Sequence, residues 1–420
     1  MLYPDFPGMG SGSQFSTELV NLTPELLTEA DLLSVRRASA DRAIEEMARR
    51  IGERLDVLRG RESRPDVVVV SLPREFETAM RRTGGTPKRR RRDPQIEKAL
   101  RSLAADRRAR QGHLFDLAPT IGRDGASSPP ASLHRALKIE AMRMRVPVQV
   151  VWESTLSADG GKQDDATIAW NLAVGLYYKA GGVPWRLSGI DEDTCYVGVA
   201  FFRPTGMSST LGCSVAQAFS QHGDGIVLRG DPFQWTAYGP PDLGREASRK
   251  LLASVLDMYA SSTRRKPKRV VIHKSSRVTD AEYAGFVEAL GDIPFHDFLA
   301  LKTSDLRFLR TGREPPLRGT VVCLDEAIGR AVVYTRGYIP FLGIYPGQRV
   351  PLPIEICEQR GNGSLRQVTS ELLALTKMNW NSADFACAEP ITLAFARNVG
   401  HILADFPSGE TPEPSYRYYM

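Results

Sequence analysis

The chain has 420 residues with a formal net charge of +6, and 42% of them are hydrophobic and 25% charged. This is typical of a soluble protein with two or three domains, and no apolar run reaches the roughly 20 residues that span a bilayer. The N-terminus lacks a signal-peptide pattern, and the five widely spaced cysteines include no CxxC pair, so we expect a cytoplasmic protein without a zinc or disulfide framework.

The positive charge is concentrated in one segment. Residues 81–110 hold 12 Lys and Arg against three acidic residues, an excess of nine that leaves a net −3 on the rest of the chain. A basic segment favours polyanionic partners. For the run at residues 88–92, a solvated loop is an equally good interpretation.

The first half of the chain predicts alternating helices and strands. Thr23-Pro24-Glu25 has the pattern of a helix start. A helical apolar spacing follows at Ile44, Met47, Ile51 and Leu55. Further along we expect a buried parallel strand at 66–73, a helix from Ser132, a strand at 146–152 and a helix capped by Asp164 or Asp165. This alternation favours an α/β sandwich.

The second half predicts a three-stranded meander and then strands linked by helices. Such an order fits an RNase H-like fold. The expected strands are at residues 195–202, 209–220, 225–229, 269–274 and 298–302, with a hairpin at 319–338. The expected helices are at residues 244–259, 279–290, 364–380 and 392–406.

Four polar residues of the first half are candidates for a binding site. His134 and Lys138 form an i, i+4 pair on one helical face, Lys179 lies in the last turn of a helix, and Gln149 lies within a strand. Each residue alone also fits an ordinary surface position. For Lys179 the reason is that a cation in the last turn of a helix complements the helix dipole.

The segments LHRALK, VPVQVV and DATIAWNLAVGLYYKAGGVPWRL occur in this order and resemble the MID domain of Argonaute proteins, especially the short prokaryotic kind. The resemblance implies that His134, Lys138, Gln149 and Lys179 grip the 5′-phosphate of a guide strand. It also implies a structural Mg²⁺ at that phosphate, bound by Gln149 and the C-terminal carboxylate of Met420. Two ammonium groups and two neutral donors suit a terminal phosphate.

The segments CYVGVAFFR, KRVVIHKSS and LTKMNWNSAD resemble the PIWI domain of the same family. The resemblance implies an α/β protein in which a Rossmann-like MID domain precedes an RNase H-like PIWI domain. We place an N-terminal segment at residues 1–64, the MID domain at 65–188 with a basic insertion at about 81–112, and the PIWI domain at 189–420.

The resemblance also implies that the nuclease centre is degenerate. Active PIWI domains hold two metal ions with carboxylates, but Ala200 and Ser275 stand at two of the family's carboxylate positions and Asn379 stands near the last. We therefore expect no catalytic residue and no enzyme activity. The alternative is an active guide-dependent endonuclease that uses carboxylates such as Asp224 and Asp384.

Four basic residues are predicted to line the channel for guide and target. They are Arg203, Arg229, Lys274 and Lys377. Contacts of Arg and Lys with the nucleic-acid backbone would be independent of sequence, because base pairing with the guide supplies specificity. A surface lysine at a strand end is an equally good interpretation of Lys274.

The segment before residue 65 is too short for the N and PAZ domains of long Argonautes. Short, inactive family members pair with an APAZ-containing effector, which carries a TIR or sirtuin-like NADase or a nuclease, in defence against invading DNA. The family therefore implies a guide RNA, a single-stranded DNA target and such a partner, with no membrane. The opening PDFPGMGSGSQF is similar to the middle of a longer family N-terminus, so we expect the N-terminal segment to be truncated or unusually short.

A Rossmann-type nucleotide enzyme on the strand at Val67 is disfavoured, because no GxGxxG turn follows it.

Deletion of residues 89–92 tests whether the arginine run binds phosphate. We expect a flatter salt dependence of nucleic-acid binding, with the slope of log K against log [salt] reduced by roughly 0.7–0.9 for each phosphate that the run neutralises. Fluorescence anisotropy titrations between about 50 and 200 mM salt measure this slope. An unchanged slope would leave the run as a solvated loop.

Overall fold

The computed structural model describes residues 5–16, 24–39, 42–73, 76, 132–156, 164–188, 190, 193–204, 211–219, 225–234, 240–345, 350–381, 387–407 and 409–420. The basic insertion at residues 81–112 lies outside these ranges, as do Asp224 and Asp384. Within the ranges, no helix is both long enough and apolar enough to cross a membrane.

Two helices open the described chain. Helix α1 (Glu29–Arg37) begins at Thr28, because Thr28 and Asp31 form a capping box in which each side chain accepts a hydrogen bond from the other residue's backbone N–H. The predicted start at Thr23-Pro24-Glu25 is therefore a few residues too early. Helix α2 (Ala43–Arg59) buries the predicted apolar stripe of Ile44, Met47, Ile51 and Leu55.

The first unit is built on two parallel strands, β1 (Val68–Leu72) and β2 (Val148–Trp152). Helix α3 (Leu133–Met144), the short helix α4 (Glu153–Leu156) and helix α5 (Asp165–Lys179) surround them. The side chain of Ser132 caps α3 and that of Asp164 caps α5. The parallel pairing is confirmed, but β1 is only partly buried, because Val69 of this edge strand is 49% exposed.

The second unit is a nine-stranded sheet in the order β5-β4-β3-β7-β8-β11-β10-β9, with β6 paired to β4. Strands β3, β7 and β8 are mutually parallel, and the flanking pairs are antiparallel. The strands are β3 (Thr194–Phe202), β4 (Leu211–Phe219), β5 (Gly225–Arg229), β6 (Phe233–Gln234), β7 (Arg269–Lys274), β8 (Phe295–Thr303), β9 (Val321–Asp325), β10 (Arg330–Val333) and β11 (Ile354–Gly361).

Helices cover both faces of the sheet. Helices α6 (Gly244–Thr263) and α7 (Asp280–Leu290) form one apolar core with β3, β7 and β8. Helices α8 (Leu365–Leu375) and α9 (Ile391–Leu403) form the other core. The layered α/β arrangement agrees with the predicted fold class.

Strand β11 was not predicted from the sequence. Its letters IEICEQRG mix apolar and charged residues, which hides the apolar alternation. Glu355 is nevertheless 3% exposed, because Arg330 at 2.8 Å and Lys302 at 3.4 Å neutralise it. An ion pair that only the tertiary structure forms thus allows a charged residue into the strand.

The C-terminal segment returns to the first unit. Tyr416 stacks on Phe395 of α9 with ring centroids 3.7 Å apart. The Tyr418 hydroxyl donates to the carbonyl of Arg145 at 3.2 Å. Three ion pairs also join the units: Arg135–Asp405, Arg143–Glu410 and Arg145–Glu413. These contacts leave Met420 buried against the first unit.

Candidate anion-binding site

A cavity of about 260 Å³, here called the lysine pocket, lies where the first unit meets the end of the chain. It contains all four polar residues that the MID-like motifs predicted. It is lined by His134, Lys138, Gln149, Val150, Val151, Trp152, Thr155, Ile168, Asn171, Leu172, Gly175, Lys179, Asn381 and Met420.

Local structure explains how the four residues meet. The cap of α3 at Ser132 places His134 in the first turn and Lys138 one turn later on the same face. Gln149 lies on β2, and Lys179 is the last residue of α5. Residues separated by 41 positions in the chain, from Lys138 to Lys179, thereby converge on one cavity.

Both lysines of the pocket are buried: Lys138 is 0% and Lys179 is 2% exposed. The Lys138 ammonium donates to the carbonyl of Val148. The Lys179 ammonium donates to Oε1 of Gln149, whose amide nitrogen donates to the carbonyl of Val150 at 3.1 Å. The two lysine side chains are thus held in place by neutral acceptors.

Neither lysine has a counter-ion in the described part of the chain, because no described carboxylate lies within 4.0 Å of either ammonium. Burial lowers the pKa of Lys138 well below its usual value, and the charge of Lys179 adds to the effect. Burial also lowers the pKa of Lys179, to about 7. Both shifts arise because a buried cation without a partner is costly. An anion in the pocket would favour the protonated form of both lysines, so the pocket is suited to an anion.

His134 differs from the lysines because its side chain is open to solvent at the mouth of the pocket. The protein wall around the ring removes part of its hydration, and the charges of Lys138, Lys179 and Arg135 add to this, so the pKa of His134 falls to about 3. The imidazole is therefore neutral at pH 7. It can donate one hydrogen bond to an anion or stack on a ring.

Sequence reasoning missed several residues of the pocket. Asn171, Gly175 and Lys179 follow one another at i, i+4 and i+8 on α5, so a helical projection from Lys179 identifies this face. Gly175 leaves the face open beside Gln149. Asn381 comes from the second unit, and no pattern in the sequence signals its position.

Two residues of the pocket could hold a divalent cation. Met420, which carries the C-terminal carboxylate, lies in the pocket lining, and Gln149 offers an amide oxygen that already accepts from Lys179. These are the hard oxygen donors that Mg²⁺ prefers, alongside phosphate and water. In the described ranges, the pocket included, no group of three or more His, Cys, Asp or Glu could hold a metal ion.

The structure brings two of the predicted degenerate positions together. Val199 of β3 is paired with Lys274, the last residue of the parallel strand β7, so the next residues, Ala200 and Ser275, follow the last pair of this register. Ala200 is 7% exposed and packs in the core. Neither side chain carries a carboxylate.

The predicted fourth position lies near the lysine pocket. Asn379 accepts a hydrogen bond from the backbone N–H of Asn381 at 3.0 Å, and Asn381 lines the pocket. Trp185 also donates to the carbonyl of Lys377 at 2.8 Å, which ties this segment to the first unit. The segment predicted to supply the last metal ligand therefore contributes to the lysine pocket.

The prediction that Lys274 contacts a nucleic-acid backbone is wrong. Its side chain is 0% exposed and forms an ion pair of 2.9 Å with Glu282, which is also 0% exposed. The ammonium further donates to Ser276 and to the carbonyl of Arg277. Lys274 instead joins β7 to the start of α7, where Glu282 completes the capping box of Thr279.

The other three basic residues remain predictions. Arg203 directly follows β3 and is half-buried. Arg229 ends β5 and lies over the ring of Phe202 at 5.9 Å. Lys377 is exposed between α8 and α9, and partial loss of hydration together with the charge of Arg318 lowers its pKa.

No family model matches the chain. The protein Argonaute of Aquifex aeolicus is 24% identical over 256 residues, which are 60% of this chain and 33% of that protein. The chain therefore spans about a third of the length of the curated relative that it matches. This similarity in sequence marks homology with Argonaute proteins, as the motifs predicted.

Solved structures share the fold. Clostridium butyricum Argonaute bound to a guide DNA and a 19-mer target DNA has a TM-score of 0.52 and 16% identity, over 65% of this chain and 36% of that one. Drosophila Piwi has a TM-score of 0.53 and 15% identity, over 84% and 50%. A. aeolicus Argonaute has a TM-score of 0.50 and 16% identity, over 86% and 51%. The predicted fold class is confirmed.

Replacement of Lys274 tests its structural role. Lys274→Ala leaves the Glu282 carboxylate buried and unpaired, so we expect the free energy of unfolding to fall by about 3–5 kcal/mol. Urea denaturation followed by circular dichroism measures the loss. The exposed Lys250→Ala on α6 is the control, and an equally small effect of both variants would contradict the assignment.

The buried lysines should also make stability depend on pH. The pKa of Lys179 is about 7 in the folded chain, whereas the usual value for a lysine is 10.5, so between these values the unfolded chain binds more protons. The free energy of unfolding should therefore rise with pH from about 7 to about 10. Lys138 acts in the same direction because its pKa is also lowered.

Urea denaturation at about pH 7, 8 and 9 checks this slope. The Lys138→Met/Lys179→Met variant should be at least as stable as the wild type near pH 7 and should lose most of the rise. Lys250→Met/Lys266→Met removes two exposed lysines as the control. If the double variant keeps the full rise of the free energy of unfolding with pH, Lys138 and Lys179 are not the cause of that rise.

Proposed function

We propose that the chain is the guide-binding subunit of a prokaryotic defence complex, in which it holds a 5′-phosphorylated guide and recognises complementary nucleic acid without cutting it. The observation that carries the proposal is the pair of buried lysines without a counter-ion among the described residues. A terminal phosphate carries up to two negative charges and would supply that counter-ion.

The pocket offers suitable partners for such a phosphate. Lys138 and Lys179 supply the charge, and Asn171, Asn381 and Gln149 supply amide groups. Charge-assisted hydrogen bonds of this kind are about twice as strong as neutral ones. His134 at the mouth can stack on or hydrogen-bond to the first nucleotide.

Magnesium fits the same proposal. The C-terminal carboxylate of Met420 and the amide oxygen of Gln149 would hold the ion against the guide phosphate. The cation would supply positive charge between two anionic groups, phosphate and carboxylate. The residues of this chain would position the phosphate itself.

The guide is an RNA and the target a single-stranded DNA on this proposal, as in the short Argonautes that the motifs resemble. The fold neighbours support guided binding in general: one was solved with a guide DNA and a target DNA, and A. aeolicus Argonaute was solved with an externally bound siRNA. Arg203, Arg229 and Lys377 would contact the backbone, and base pairing would give specificity.

The absence of cleavage rests on Ala200 and Ser275. Two-metal catalysis needs carboxylates that bridge and position both ions, and these adjacent strand ends carry none. The output would then come from a partner chain, an APAZ-containing effector with a TIR or sirtuin-like NADase or a nuclease, in a cytoplasmic heterodimer that acts against invading viruses and plasmids.

Guide binding tests the pocket. Lys138→Ala/Lys179→Ala should weaken binding of a 5′-phosphorylated guide by at least about 100-fold, because two charge-assisted hydrogen bonds of roughly 1.5–3 kcal/mol each are lost. Binding of the 5′-hydroxyl guide should change little. Filter binding with both guides measures the ratio, and Lys250→Ala/Lys266→Ala is the charge-matched control. Equal loss for both guides would refute the pocket.

A cleavage assay separates this function from an active endonuclease. The wild type, loaded with a 5′-phosphorylated guide, should give no guide-dependent product with Mg²⁺ or Mn²⁺. Product that disappears in Asp224→Asn or Asp384→Asn would establish the nuclease instead.

Co-purification with the product of the neighbouring gene, followed by sequencing of the bound nucleic acid, tests the partner and the guide.

A further inference from the structure

Residues 5–16, here called the opening segment, lie against helix α5. Phe6 and Phe15 both meet Trp170 edge-on, with ring centroids 5.4 and 5.7 Å from that of the tryptophan. Phe15 also meets Tyr177 edge-on, with ring centroids 5.6 Å apart. Trp170 and Tyr177 are separated by about two turns of α5, so the segment follows one face of this helix.

Phe15 is the buried anchor of the opening segment. It is 3% exposed, whereas the other residues of the segment are half-buried or exposed. Two turns present it: Ser13 N–H donates to the carbonyl of Gly10 at 2.9 Å, and Ser16 N–H donates to the carbonyl of Ser13 at 3.0 Å. The N–H of Phe15 also donates to the Ser13 hydroxyl at 3.1 Å. Local hydrogen bonds thus fix the direction in which Phe15 enters the core.

Three consecutive residues at the end of α5 make three different contacts. Successive side chains of a helix are about 100° apart, so they point in different directions. Tyr177 meets Phe15 of the opening segment. Tyr178 packs against Trp380 of the second unit, with ring centroids 4.7 Å apart. Lys179 enters the lysine pocket. The contacts of the two tyrosines therefore set the direction of the lysine.

The last turn of α5 needs such contacts. The last four carbonyls of a helix have no partner within it, and helix ends therefore fray. Here the N–H of Gly182 donates to the carbonyl of Tyr177 at 2.9 Å. The backbone of Gly182 also lies so close to the Tyr177 ring that an added Cβ would be 2.4 Å from it. Tyr177 thus contacts both the turn that follows α5 and the opening segment.

We propose that Phe15 is a positioning residue of the lysine pocket: through Tyr177 it holds the last turn of α5, so that Lys179 keeps the place in which it binds a guide 5′-phosphate. Phe15 is not among the residues that line the pocket, so it acts through α5. Lys179 donates to Oε1 of Gln149 on β2, and a displaced helix end would change this contact together with the place of the ammonium. The inference rests on the proposed function and gives the opening segment a part in it.

A double-mutant cycle on the full chain tests the inference. Phe15→Ala should weaken binding of the 5′-phosphorylated guide by about tenfold, because the displaced ammonium loses a charge-assisted hydrogen bond, and should leave binding of the 5′-hydroxyl guide within about twofold. In a Lys179→Ala background the same change should add little, since a residue that acts through Lys179 has no effect in its absence. Filter binding with both guides measures each protein.

Matched variants separate positioning from stability. Phe286→Ala is the control, because Phe286 is 1% exposed in the other apolar core and its truncation also leaves a cavity. It should leave the ratio of the two guide affinities unchanged. Phe15→Leu keeps an apolar side chain and should restore most of the preference for the phosphorylated guide. If circular dichroism shows that Phe15→Ala is unfolded, Phe15→Val takes its place, with a loss in the same direction.

Hydrogen exchange gives a second measurement that needs no guide. Backbone amides at residues 177–182 should exchange at least about tenfold faster in Phe15→Ala than in the wild type, beyond any change in Phe286→Ala. Unchanged exchange, an unchanged preference for the phosphorylated guide, or an equal loss with and without Lys179 would overturn the inference. A wild type that binds both guides equally would instead overturn the proposed function and the phosphate role of Phe15, whereas faster exchange would still establish that Phe15 holds α5.

Discussion

Two buried lysines without a counter-ion among the described residues are the constraint on which the structure around the pocket depends. Lys138 and Lys179 are held by neutral acceptors, the carbonyl of Val148 and the amide oxygen of Gln149. A folded protein keeps such an arrangement only where the rest of the structure compensates its cost. An anionic ligand would remove the cost directly.

The end of the chain completes the pocket because the two units are joined there. Ion pairs such as Arg143–Glu410 and Arg145–Glu413 bring the last residues back to α3, and Met420 then lines the cavity together with the lysines. Asn381 reaches the same cavity from the loop after α8. The lysine pocket is therefore lined by residues of both units.

In the second unit, a buried ion pair at the end of β7 contributes to the stability of the sheet. Ala200 of β3 and Ser275, which follows β7, carry no carboxylate. One residue away, Lys274 and Glu282 form a fully buried ion pair that fixes β7 to α7. At the far border of the same sheet, apolar side chains such as Val321 and Leu324 are exposed.

The sequence by itself determined the fold class, most helices and strands, and the four polar residues of the lysine pocket, because caps, apolar periodicity and local motifs are written in short segments. It failed where a position depends on distant partners. The charged residues of β11 obscure its apolar alternation in the sequence, and only the structure shows that Arg330 and Lys302 neutralise Glu355. Lys274 gave no sign of its burial beside Glu282, and Asn381 gave none of its place in the pocket. Only the tertiary structure decided these, since burial and ion pairing arise from contacts between residues far apart in the chain.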